Sequence, residues 1–124
     1  MAVLPPISVV DDDESVRESL QALLRSVGFA VRVFASAEEF MNSSHLRDTA
    51  CLILDVWMPG MSGPELQAKL AAEGSRIPLI FVTAHGEDEE AREKAMRGGA
   101  VDYLLKPLRE EAILNAVDVA LQPK

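Results

Sequence analysis

Asp55 closes an apolar run, Cys51-Leu-Ile-Leu, and is followed by Val-Trp-Met-Pro-Gly-Met-Ser-Gly. A continuous apolar run of this kind reads as a strand buried on both faces, as in a parallel sheet, which places the acid at the strand's carboxyl end. Three other short apolar runs also stop at residues with polar chemistry. Ile7 to Val10 ends in Asp11-Asp12-Asp13, Leu79 to Val82 ends at Thr83, and Val101 to Leu105 ends in Lys106-Pro107. In open α/β sheets ligands bind outside the carboxyl ends of the strands, so these side chains can converge on one crevice. Clustered carboxylates repel one another unless a cation neutralises them. Hard oxygen ligands suit Mg²⁺, which takes one or two carboxylates together with phosphoryl oxygens and keeps several waters. Lys106 is a compact cation suited to phosphate, and Thr83 offers a hydroxyl donor. The set points to phosphoryl transfer with Asp55 as a carboxylate nucleophile. Taken singly, each residue has a plainer reading: Asp11 to Asp13 as helix-start acids, Thr83 as a strand residue, Lys106 as solvated surface. Their joint occurrence at strand ends carries the chemical reading.

The elements that must hold these residues follow from periodicity and punctuation. After the first strand, Val16, Leu20, Leu23, Leu24 and Val27 recur at helical spacing, and Gly28 ends that helix. Phe29 to Phe34 reads as a second strand, at an edge because Arg32 lies within it. Ser36 with Glu39, and Ser62 with Glu65, read as capping boxes. The first opens a short helix broken by Asn42-Ser-Ser, and the second a helix over Pro64 to Glu73 ended by Gly74. Glu87-Asp-Glu-Glu90 leads a further helix whose later turns carry Arg92, Lys94 and Arg97, a charge order that suits the helix dipole. Glu90 with Lys94 and Glu93 with Arg97 are spaced for ion pairs. Gly98-Gly99 stops it, and Ile113, Ala116, Val117, Ala120 and Leu121 form the stripe of a final helix. Five strands alternating with five helices imply a doubly wound parallel α/β sheet with helices on both faces.

A chain of 124 residues fits one domain, here residues 1–124, able to bury about two-thirds of its unfolded surface. The single cysteine, Cys51, lies in an apolar run and reads as a small core residue rather than part of a disulfide framework. No apolar stretch approaches the roughly 18 residues of a membrane span. The start, Met-Ala-Val-Leu-Pro-Pro, lacks the positive region of a secretory signal, so a cytoplasmic location is expected. A net charge of −8 argues against direct nucleic-acid binding by this domain.

The succession Val-Asp-Asp, Leu-Asp-Val-Trp-Met-Pro-Gly-Met-Ser-Gly, Val-Thr-Ala-His-Gly and Asp-Tyr-Leu-Leu-Lys-Pro resembles the receiver domain of two-component response regulators, over about Ile7 to Leu121. Val-Thr-Ala-His-Gly and Gly-Ala-Val-Asp-Tyr look most like the FixJ-like branch. One such motif is weak; four in order are specific. The resemblance implies a flavodoxin-like five-stranded sheet in the order 2-1-3-4-5 with five helices. It implies that Asp55 accepts a phosphoryl group from the phosphohistidine of a sensor histidine kinase. It implies Mg²⁺ held by Asp12 and Asp55 through carboxylates, by Asp11 largely through water, and by the backbone carbonyl of Trp57. Lys106 would contact the phosphoryl group beside a cis peptide to Pro107. Thr83 and Tyr103 would be the switch pair, with Thr83 drawn toward phosphorylated Asp55 and Tyr103 following into the vacated space. The face of the fourth helix, fifth strand and fifth helix would then control dimerisation or transcriptional output. Three positions depart from the pattern: Trp57 is bulky, the fourth helix opens with an acidic run, and position 108 is Leu where Phe is frequent. The last two bear on the output face. His85 is placed to modulate loss of the phosphoryl group, and His45 reads as surface.

The resemblance implies no enzyme acting on an external substrate, only self-phosphorylation at Asp55 and its hydrolysis. An aspartyl phosphatase of the haloacid dehalogenase type would need a second acid two residues after the nucleophile, where Trp57 stands. A small flavin carrier would need a Ser/Thr-rich phosphate loop where Asp11 to Asp13 stand. The remaining alternative is a degenerate receiver, a phosphorylation-independent interaction module.

Overall fold

The computed structural model describes residues 4–84 and 88–122. The strands are β1 (Leu4–Val10), β2 (Phe29–Phe34), β3 (Cys51–Asp55), β4 (Leu79–Thr83) and β5 (Asp102–Leu105). They alternate with α1 (Glu14–Ser26), α2 (Ala37–Met41), α3 (Gly63–Ala72), α4 (Glu89–Arg97) and α5 (Glu110–Leu121). The sheet runs β2-β1-β3-β4-β5 with every pairing parallel, the flavodoxin-like order. β3 is buried at every position, and its alternating side chains feed two cores. Cys51 and Ile53 pack toward α1 and α5, while Leu52 and Leu54 pack toward α2, α3 and α4. This two-sided burial explains why the run before Asp55 carries no alternating polar residue.

Most elements lie where the sequence places them, and the differences have local causes. β1 begins at Leu4 rather than Ile7, because Leu4 and Pro6 pair with Phe29 and Ala30 across a shift in register. Buried Ser8 finds a polar partner in Thr49, oxygen to oxygen at 2.6 Å. β2 is an edge, and its Arg32 pairs with Asp48 at 2.7 Å. In α1, Leu20 and Leu24 are buried, but Val27 is exposed because the helix has ended and Val27 is its C-cap. Gly28 then takes φ +100°, the left-handed conformation that glycine adopts at least cost.

The box at Ser62 is complete, whereas that at Ser36 is half formed. Ser36 accepts from the Glu39 N–H, but the Glu39 carboxylate reaches back to Ala35 rather than to Ser36. α4 starts at Glu89 with Asp88 as its cap. Glu87 and His85, with the roles expected of them, lie outside the described residues. On α4 the ion pair is Arg92 with Glu89 at 3.5 Å, and Arg97 donates to the Glu93 carbonyl. The expected pairs of Glu90 with Lys94 and Glu93 with Arg97 are therefore not formed among the described residues. These side chains are exposed, and water competes for them. β5 omits Val101, whose N–H instead bonds the Leu79 carbonyl at 2.7 Å. Leu108 is half-buried and packs against the α1/α5 core. Cys51 is a buried free thiol, pushed up to about 12 by burial. Among the described residues no helix is long and apolar enough to cross a membrane.

Candidate phosphoacceptor site

The central strands deliver their end residues to one point. Asp11 follows β1 and is fully buried, Asp55 is the last residue of β3, and Thr83 is the last residue of β4 and fully buried. Asp12 is exposed at the rim. Lys106 leaves β5 and turns across the sheet end. Its Nζ lies 3.0 Å from Asp11 Oδ2 and 3.6 Å from Asp55 Oδ2. The Lys106–Pro107 peptide is cis, as the resemblance implies.

The loop after β1 is fixed by its own residues. Asp13 caps α1 by accepting from Ser15 N–H, Asp11 Oδ1 accepts from Asp13 N–H at 2.9 Å, and Arg17 donates to the Asp11 carbonyl at 2.8 Å. One acid of the triplet is thus a helix-start acid, and the other two face the crevice. Ligand oxygens of Asp11, Asp12 and Asp55 lie within 4.8 Å of one another, a spacing that a cation can bridge. Asp11 Oδ2 is buried without an aligned hydrogen bond, since Lys106 reaches it as an ion pair only. A buried carboxylate oxygen met by an ammonium alone keeps lone-pair capacity that suits a hard cation.

Electrostatics set the charge state of the acceptor. Burial pushes the Asp55 carboxyl up to about 7, the nearby Asp11 and Asp12 charges add to the rise, and Lys106 opposes it. Burial alone would lower Lys106, but its contacts with Asp11 and Asp55 outweigh that and hold the ammonium protonated. A second cation at the three acids would favour the ionised Asp55 that a nucleophile requires.

Trp57 is 51 % exposed and lines a groove between α3 and α4 together with Val56. Tyr103 is 7 % exposed and stacks at a tilt on Phe81, with ring centroids 6.2 Å apart. Burial, then the Asp88 charge, raises the Tyr103 phenol, and the nearby Thr83 hydroxyl opposes the rise. Tyr103 therefore already occupies the inward position that the resemblance has it enter only after phosphorylation. The Phe81 ring and the small side chains of Ala95 and Ala100 belong to the same core and leave that position available.

One supporting residue, Glu38, gave no signal in the sequence. Glu38, on α2, accepts from the Met61 N–H at 3.0 Å and braces the loop after Trp57. A Cβ on Gly60, at φ +76°, would stand 2.6 Å from Glu38 Oε2, so the glycine admits this brace. Gly63 lies so close to the acceptor that a Cβ there would collide with the Asp55 carbonyl oxygen and the Phe81 ring. Glu38 and Met61 are far apart in sequence, and no local pattern announces the contact.

A 2-1-3-4-5 parallel sheet with three carboxylates and an ammonium at its carboxyl edge defines a flavodoxin-like protein with an acidic, cation-ready crevice. The chain belongs to the response regulator receiver domain family, which residues 7–118 match, and so to two-component signalling. It is similar to the response regulator protein TmoT of Ectopseudomonas mendocina, 47% identical over 116 residues that cover 94% of this chain and 52% of TmoT. Among solved structures, the response regulator StyR matches with a TM-score of 0.88 at 47% identity, over 95% of this chain and 59% of that one. FixJ-N matches with a TM-score of 0.84 at 38% identity, over 95% and 94% of the two chains. The chain spans about half the length of the curated relatives it matches.

Proposed function

We propose that this domain is a phosphorylation-driven switch in which Asp55 takes a phosphoryl group from the phosphohistidine of a sensor histidine kinase. The observation that carries the reading is the placement of Asp55. Its carboxylate ends the doubly buried strand, 3.6 Å from the Lys106 ammonium and within bridging distance of Asp11 and Asp12. An Asp55 oxygen forms the bond to phosphorus as the phosphorus–nitrogen bond of the donor breaks, and the imidazole leaves with the electron pair. Lys106 offsets negative charge on the transferred group, and the Thr83 hydroxyl would donate to it. Asp11, Asp12, Asp55 and the Trp57 carbonyl would hold Mg²⁺, which when bound neutralises charge on the acids and on the phosphoryl oxygens. A groove of about 410 Å³, lined in part by Val16, Leu20, Leu23, Lys106 and Leu108, opens beside the crevice and gives a donor an approach.

The added charge shifts a two-state equilibrium felt by α4, β5 and α5. Because Tyr103 is already inside, the shift centres on the Thr83 end of β4 and on α4 rather than on a large swing of the ring. The output is dimerisation or control of an effector in transcription, a reading supported by kinship with FixJ and TmoT.

Intact-mass measurement after acetyl phosphate and Mg²⁺ tests this. One added phosphoryl group is expected, mapped to Asp55 by peptide analysis and lost in Asp55→Asn. Undiminished labelling of Asp55→Asn, with the label mapped elsewhere in the native protein, would reject Asp55 as the acceptor. A native protein that takes no label would favour the degenerate, phosphorylation-independent receiver.

A further inference from the structure

α4 is weakly anchored. Of its nine residues only Ala95 is buried, while Ala91 and Met96 are half-buried. A groove of about 640 Å³ runs between it and α3, lined in part by Val56, Pro64, Ala68, Ala71 and Ala91. One buried polar side chain crosses this groove. Gln67 of α3 donates from Nε2 to the Ala95 carbonyl at 3.1 Å. That carbonyl also accepts from Ala100 N–H at 3.1 Å, the bond that closes the helix end, so Gln67 adds a second bond to an acceptor already satisfied.

Gly98 reports how close the approach is. A Cβ there would stand 2.8 Å from Gln67 Nε2 and 2.9 Å from Cδ. Its φ of −75° is open to any residue, so the helix end does not require glycine at this position. Gly99, at φ +99° with nothing within 4 Å of a built Cβ, is the glycine the turn requires. The glycine pair therefore has two separate causes, and the first is the Gln67 amide.

We infer that Gln67 is a clasp that fixes the C-terminal end of α4 to α3, so that the helix pivots about Ala95–Gly98 and its Asp88 end does the moving. Gln67 is a positioning residue for the switch, and the inference deepens the proposed function, on which it relies for α4 being the element that responds. The groove leaves the Asp88 end room to move toward or away from α3. A helix held at one end turns a small change beside Thr83 into a rotation, whereas an unclasped helix would shift as a whole.

Residue-resolved amide hydrogen exchange on the native protein, Gln67→Met, Gly98→Ala and the double variant tests this. Methionine keeps the length and apolar filling of glutamine but has no donor, and Ala95 retains its bond from Ala100, so no polar group is stranded. Without any phosphoryl mimic, the amides of Gly98 to Ala100 should exchange roughly five- to tenfold faster in Gln67→Met, the worth of about one net hydrogen bond, with Arg92 and Glu93 unchanged. Gly98→Ala should do the same by displacing the amide, and the double variant should add little, because both changes open one contact. Unaltered exchange at Gly98 to Ala100 in Gln67→Met, or fully additive effects, would overturn the clasp. With Mg²⁺ and beryllofluoride the native response should be concentrated at the Asp88 end, and in Gln67→Met it should spread to Gly98 to Ala100. An even response along native α4 would overturn the pivot. A mimic that moves no amide anywhere overturns the switch and the pivot together, while the comparison made without mimic still decides the clasp on its own.

Discussion

Asp55 is a carboxyl held where burial and two neighbouring acids oppose its ionisation, which ties its chemistry to stability. Its pKa stands at about 7 in the folded metal-free protein. In the unfolded chain it returns to about 3.9. An acid raised on folding contributes stability that is complete below its unfolded value and is lost as pH rises through its folded value. In EDTA, stability should therefore fall between about pH 4 and about pH 7, with a limiting slope of about 1.4 kcal/mol per pH unit. The fall attributable to Asp55 should disappear in Asp55→Asn, and Mg²⁺ should offset it in the native protein by binding the ionised form. Urea melts across that window, with and without Mg²⁺, read the difference. Native and Asp55→Asn curves that run parallel in EDTA would show that Asp55 titrates at its ordinary value. The ion pair to Lys106 does not undo the rise, because one ammonium is shared between two carboxylates.

The element that joins acceptor to solvent is the segment from Asp55 to the start of α3. It is braced from two sides: Glu38 holds the Met61 N–H, and Ser62 and Glu65 close a complete capping box. Gly63 lets the first turn of α3 lie directly on the Asp55 backbone. Trp57 is the half-exposed bulk of this braced segment, two residues after Asp55. Metal held through the Trp57 carbonyl would change the surroundings of the indole. Adding Mg²⁺ is therefore expected to shift or quench the intrinsic fluorescence in a saturating manner, with a further change on adding beryllofluoride. Trp57 is the only tryptophan, so the signal has one source. The response should vanish in Asp12→Ala. A response that survives Asp12→Ala unchanged would mean that the metal is not held between β1 and β3.

At the scale of the whole molecule, the proposed output surface is the α4–β5–α5 side. β5 is the sheet edge opposite β2, and Leu105 and Val119 are large apolar side chains more than half exposed on β5 and α5. Exposed apolar groups of this kind, with the charged helix α4 beside β5, suit an interface that forms and dissolves. The expected outcome is a weak or absent dimer that becomes stronger with Mg²⁺ and beryllofluoride, followed by light scattering. An identical mass with and without the mimic would reject dimerisation as the output of this domain, leaving effector binding as the route.

How far the sequence reached depended on whether an interaction was local or general. The unbroken apolar runs before Asp55 and Thr83 determined two doubly buried strands, because a strand covered on both faces has no place for an alternating polar residue. The Ser62 box was written in adjacent residues and folded accordingly, as did Gly28 at the end of α1. The converging residues Asp11, Asp12, Asp55, Thr83 and Lys106 were legible because each follows a strand, and parallel strands present their ends on one side. Which acid of the triplet caps and which face inward was decided by tertiary structure, since Asp11 is buried only once β1 lies beside β3. The inward place of Tyr103 likewise depends on the core formed by Phe81, Ala95 and Ala100. Glu38 on Met61 and Gln67 on Ala95 join residues 23 and 28 positions apart, which no local spacing encodes. Surface pairs on α4 failed in the opposite way: their spacing was right, but in water the energy of such a pair is too small to fix one geometry.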